Sequence, residues 1–232
     1  MYEVGNIEEN EQNQLKINKG IYSFLCIELI LALTVSLLSV YFYESFGKEL
    51  VAWWYFAVLS GLMIFILPLV TFFSQKAQKF ALNLVLYVLF TIAFIHISAF
   101  FIVMDSSRLL LVSLCFLTLM IVASTLFLFA QKSIPSSLVS FSVLAISGGI
   151  GLIGFVIYTN IKFYLVFLLF LATLVYAYYM SLSSKSIIFP ECGKMSDDSM
   201  SGAVRIWLEA DLVLMKKGEL LSSRVNNLNK CC

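Results

Sequence analysis

Ionisable side chains are scarce in the apolar segments of this chain, and the few that occur there are the candidates for chemistry. The densest group lies in Gly202–Met215, which carries Arg205, Glu209 and Asp211. Read as a helix, Arg205 and Glu209 are i,i+4 and can pair locally, on a stripe shared with Lys216. Asp211 falls on the opposite side, among Val204, Trp207, Leu208 and Met215. Acids and bases so placed suit the binding or relay of a cation or a proton. A helix from Ala203 to Met215 would be about 20 Å long, too short to cross a bilayer alone. It can be a half-span, a re-entrant helix buried among other helices, or an amphipathic helix lying at the interface.

Two more titratable groups stand alone in apolar surroundings. Glu28 lies about eight residues into the first long apolar segment, where an acid usually faces the interior of a helical bundle. It can instead sit shallow and reach water. His96, the only histidine, falls deep in the third apolar segment. It is either a proton carrier or a hydrogen-bonded packing residue, and contact with Glu28 would favour the first.

The elements that must position these groups follow from composition. Of 232 residues, 61% are hydrophobic and 12% charged, and prolines number three; mean hydropathy is +0.95. Soluble domains carry roughly 25% charged residues. The apolar residues come in six blocks of about 20–25, each long enough to span a bilayer as a helix. They run Ile21–Tyr43, Leu50–Phe73, Phe80–Met104, Leu109–Ala130, Leu138–Tyr158 and Phe163–Leu182. The fold class expected is an all-α integral membrane protein: a six-span up-down bundle plus a short seventh C-terminal helix, a half-span or re-entrant. Short connections make consecutive spans antiparallel. A polar N-terminal segment, 1–19, precedes the bundle, 20–182. A Ser-rich polar linker, 183–201, leads to the short seventh helix, 202–215, and a polar tail, 216–232, follows.

Aromatic residues mark the interfaces: Tyr41, Phe42, Tyr43, Trp53, Trp54, Tyr55, Tyr158, Tyr178 and Tyr179. Lys16, Lys19, Lys76, Lys79, Lys132 and Lys185 share the side of the N-terminus, against Lys48, Arg108 and Lys162 on the other. This asymmetry predicts a cytoplasmic N-terminus. The first apolar run is too long for a cleaved signal peptide and reads as a retained span.

Several function classes lose support. A net charge of +1 gives no electrostatic case for nucleic acid. Neither a G-x-S-x-G elbow nor an H-E-x-x-H pair occurs. One histidine and no C-x-x-C among the cysteines at 26, 115, 192, 231 and 232 leave no usual zinc site. No enzymatic activity, cofactor or metal is expected. Gly149, Gly151 and Gly154 spell G-x-G-x-x-G, but no strand precedes them, so with Gly148 they read as close helix packing. Cys231–Cys232 is not a C-a-a-X box; palmitoylation or no modification is expected there.

The order of spans carries a resemblance. Tyr22, Leu25 and Glu28, with Lys19 before them, resemble the V-Y-x-x-L-x-x-Q opening of the Bax-inhibitor family, in its Golgi anti-apoptotic (lifeguard) branch. Ala81-Leu82-Asn83-Leu84 followed by Phe90-Thr91 resembles that branch's third span. Ala203-Val204-Arg205-Ile206-Trp207-Leu208-Glu209 is similar to its A-x-x-L-Y-L-D, with Glu209 at the aspartate. Met180 stands where the family has a second aspartate, and Phe94 where it has a glutamate.

The resemblance implies a multi-pass protein of the Golgi or endoplasmic reticulum that regulates cell death or ion homeostasis as a calcium or proton leak. In that scheme the Arg205–Glu209 pair replaces the missing aspartate pair, with Asp211 as the alternative acid. The alternative is a non-transporting scaffold that binds other membrane proteins within the lipid bilayer.

Overall fold

A computed structural model describes residues 2–73, 80–105, 108–133, 135–158, 161–188, 199, 202–204 and 206–207. These residues are almost wholly helical, with no strand among them. The chain runs α1 (Tyr2–Tyr41), a π-helical turn (Tyr43–Gly47), α2 (Lys48–Ala52), α3 (Trp54–Phe73), α4 (Phe80–Met104), α5 (Leu109–Ala130), α6 (Ser137–Tyr158) and α7 (Phe163–Ile188). Five helices are long and apolar enough to cross a membrane alone, and a bent pair makes a sixth. Helix is what the composition demands, because a spanning backbone in hydrocarbon must satisfy its own polar groups. The protein is an all-α, multi-pass membrane bundle.

Named contacts fix the alternation of the spans. Tyr87, early in α4, donates to the Phe24 carbonyl, early in the α1 span, at 3.0 Å; α1 and α4 therefore run parallel. Lys19 donates to the Gln131 carbonyl just past the end of α5 at 3.1 Å, so α5 runs back. Ser60, early in α3, meets His96, late in α4, at 3.0 Å. Up-down order follows from the short connections, as expected.

Inside this bundle the usual sorting by hydropathy fails. The buried stripe of α1 is Ile21, Tyr22, Leu25, Glu28, Leu29, Ala32, Ser36 and Ser39, while Ile27, Ile30, Leu31, Leu37 and Leu38 face outward. Lipid tails are as apolar as leucine, so helix packing selects small and polar residues rather than the most hydrophobic ones. The α5 helix is central: 44% of its spanning window is buried, against 17% for α6 at the edge. Gly148 and Gly151 let α6 approach; an added Cβ would collide with Met120 and Phe170 at the first and with Leu119 at the second. Gly149 and Gly154 have open space beside them. Close helix packing therefore holds at Gly148 and at one of the three motif glycines, Gly151.

The second span begins differently from the expected Leu50–Phe73. Its first residues belong to a separate piece, Tyr43–Ala52, bent by 68° from Trp54–Pro68. Trp53 breaks the helix with φ −96° and ψ 42°, and its ring stacks on Phe56 at 5.5 Å. Tyr41, Phe42, Tyr43, Phe46, Trp53, Trp54 and Tyr55 are all exposed around this bend. Such a belt of amphipathic rings belongs at the membrane–water boundary. The exposed Glu44–Lys48 ion pair lies in the same piece.

The polar N-terminal segment is not separate from the first span: α1 is one helix of 40 residues. Likewise α7 continues to Ile188, into the expected linker. Finally, α4 and α5 are joined by a short turn yet hardly touch. A space is left between them, and the C-terminal segment reaches into it.

Candidate functional site

The described part of that segment lies inside the bundle. Residues 202–204 and 206–207 are helical, and Ala203, Val204, Ile206 and Trp207 are buried. Its path follows α1. The Ser199 hydroxyl donates to the Ile17 carbonyl at 3.4 Å, and an added Cβ on Gly20 would collide with that hydroxyl. Eight residues further on, Trp207 meets Glu28, itself eight residues beyond Gly20. Both chains thus advance in parallel by about 12 Å. Gly20 has a specific reason to lack a side chain here: the Ser199 side chain packs directly against it.

Of the expected helix 202–215, residues 202–204 and 206–207 are described, and these are buried. Arg205, Glu209 and Asp211 lie outside the described residues. Of the five sequence-derived candidates, Glu28 and His96 are described, and they do not share a site.

Glu28 is the buried carboxylate of the described bundle, with no exposed surface. It sits near the middle of the span Gln12–Tyr41, deeper than its distance from the first apolar residue suggests. Its Oε2 accepts a hydrogen bond from the Trp207 indole Nε1 at 3.1 Å. Its Oε1 is buried with no hydrogen-bond partner. An indole can only donate. The Tyr87 ring lies close enough to interact electrostatically with Glu28, but its hydroxyl is committed to the Phe24 carbonyl.

Trp207 is held by rings on two helices. Phe94 of α4 lies 4.6 Å from it, centroid to centroid, and Tyr176 of α7 lies at 6.3 Å. The indole therefore ties three helices, α1, α4 and α7, to the C-terminal segment. Met180 is buried in the same core. The two positions where the resembled family has acids are thus packed with apolar side chains.

His96 faces the other way. Its Nδ1 is 3.0 Å from the Ser60 hydroxyl of α3, and the ring is only partly buried. This hydrogen bond joins α3 to α4 and does not reach Glu28. No cluster of three or more His, Cys, Asp or Glu able to hold a metal occurs among the described residues.

Trp207, the partner of Glu28, stands in the sequence reading only among the apolar surroundings of Asp211. A signal existed. It is the one tryptophan outside the interfacial pair Trp53–Trp54, and a buried indole N–H seeks an acceptor. Comparison of the chain with protein-family models, characterised proteins and solved structures finds no match.

A carboxylate at this depth needs a proton or a cation, since burying an uncompensated charge is far costlier than burying a neutral acid. One oxygen is capped and the other presents an unused acceptor. The arrangement can take up a proton, or bind a small cation if Trp207 withdraws.

Proposed function

We propose that the chain is a cation or proton leak of an intracellular membrane, with Glu28 in the pathway and the C-terminal segment as its plug. The observation that carries this reading is the half-satisfied Glu28 carboxylate at mid-span, capped by a residue 179 positions away in sequence. Insertion scales put a charged side chain at a helix centre at about 2.5–3.5 kcal/mol. A purely structural role would be met more cheaply by an apolar side chain. The resemblance to the Bax-inhibitor family supports a role in ion homeostasis and, through it, in cell death. It also supports the Golgi or endoplasmic reticulum as the compartment, and the lysine distribution supports a cytoplasmic N-terminus. In this reading Glu28 is the first acid of the pathway. Arg205, Glu209 and Asp211 follow it along the chain as further candidates.

The test is flux. Purified protein in liposomes carrying pH- and calcium-sensitive dyes should leak. Glu28→Gln should abolish the leak, and Trp207→Phe, which keeps the ring but removes the donor, should raise it. Equal flux from wild type and Glu28→Gln would overturn the assignment of Glu28. Glu209→Gln and Asp211→Asn in the same assay test the C-terminal acids.

A second reading, a non-transporting scaffold for other membrane proteins, is favoured by one observation. Phe94 packs against Trp207, and Met180 is buried in the core, where acids would otherwise complete a gate. It predicts no flux from any variant and membrane proteins that co-purify through the bundle.

A further inference from the structure

The space between α4 and α5 holds a cavity of about 290 Å³. Its walls include Phe94, Ser98 and Phe101 from α4, Leu110 and Ser113 from α5, and the ring of Trp207. Phe94 and Phe101 are seven residues apart, so the wall extends about 10 Å along the helix. The cavity is thus elongated along the spans. Phe101 and Leu110 are 53% and 46% exposed, whereas Trp207 is 9% exposed. One end therefore lies at the lipid-facing surface and the other at the indole in the core.

We infer that this cavity takes one acyl chain of a bilayer phospholipid, which enters between α4 and α5 and ends against Trp207. Water is a poor occupant. A buried water needs two to four polar partners; the Trp207 N–H of the wall is spent on Glu28, which leaves the hydroxyls of Ser98 and Ser113. That of Ser113 already lies 3.4 Å from the Thr173 hydroxyl. An empty void forfeits the dispersion contacts of its lining. A peptide would bring backbone groups that hydrocarbon depth leaves unsatisfied. A hydrocarbon chain satisfies all three constraints, and the bilayer supplies it at the rim. The chain would complete the packing of the indole, which Phe94 and Tyr176 already contact, and so brace the bond from Trp207 to Glu28. Binding of the chain does not depend on whether ions pass Glu28, and its readout is contact rather than flux.

The full-length protein with Trp53→Phe and Trp54→Phe retains Trp207 as its only tryptophan. It is reconstituted in phosphatidylcholine brominated at mid-chain, bromine being a contact quencher of indole emission. Trp207 should lose most of its emission despite its burial. Ser98→Phe, which fills the cavity from α4, should restore that emission; Ser113→Phe, which fills it from α5, provides the same test if the first variant fails to fold. Absence of quenching, or quenching unchanged by either filling substitution, overturns the inference.

Discussion

Glu28 and His96 are both lone titratable side chains inside apolar helices, and each has one named hydrogen bond. They differ in where the partner comes from. His96 meets Ser60, on the helix that precedes it and packs against it. Glu28 meets Trp207, on a segment that returns from the far end of the chain and threads into the bundle. The first contact ties α3 to α4 alone. The second closes the core, because α1, α4, α7 and the C-terminal segment all converge on one indole. A polar group at the edge of a membrane bundle can serve helix packing. The group at the centre keeps one carboxylate oxygen without a hydrogen-bond partner.

This contrast can be broken at several points. The largest effect is expected at Trp207→Ala, which empties the ring site and strips Glu28 of its donor. Truncating a buried tryptophan costs about 3–5 kcal/mol. Thermal unfolding in lipid nanodiscs should show the loss, and a melting curve like that of wild type would mean that the segment does not close the core. Next comes Gly20→Leu, where the Ser199 side chain packs against α1. Overpacking there should cost about 1–3 kcal/mol. It should also raise the thiol-labelling rate of Ala203→Cys, which is otherwise buried. An unchanged rate would move the contact elsewhere.

The Glu28–Trp207 bond itself can be isolated by a double-mutant cycle of Glu28→Leu and Trp207→Phe. A coupling of about 1–2 kcal/mol is expected, near the upper range for hydrogen bonds between membrane helices. Additive effects of the two substitutions would reduce the pair to coincidence. The smallest effect belongs to the Ser60–His96 pair. Ser60→Ala should cost about 0.6 kcal/mol, the average for such bonds in a membrane bundle, and should leave flux untouched. A loss at Ser60 as large as that at Trp207 would erase the distinction between edge and centre.

Much of this architecture was legible in the sequence. Six apolar blocks bounded by short polar links dictate spanning helices, because hydrocarbon offers the backbone no other donors or acceptors. Glu28 was visible as a candidate, since a carboxylate among Leu25, Cys26, Ile27, Leu29 and Ile30 stands out in any hydropathy reading. The break at Trp53 was not legible. Local hydropathy runs straight through it, and only the backbone dihedrals there separate Tyr43–Ala52 from the following helix. Nor was Trp207 legible as a partner. In a membrane helix a buried and a lipid-facing side chain have the same hydropathy, so periodicity carries little information about which face is inside.

The sequence alone determined that this protein is a helical membrane bundle, and that charged groups within its apolar segments are few. Apolar length and charge scarcity are properties of single segments, and a segment does not need the rest of the chain to show them. Only the tertiary structure decided which of those groups is buried, what caps it, and that residues 202–204 and 206–207 lie inside the bundle. Those facts depend on contacts between residues 179 positions apart, and on a gap between α4 and α5 that exists only once all the helices are packed.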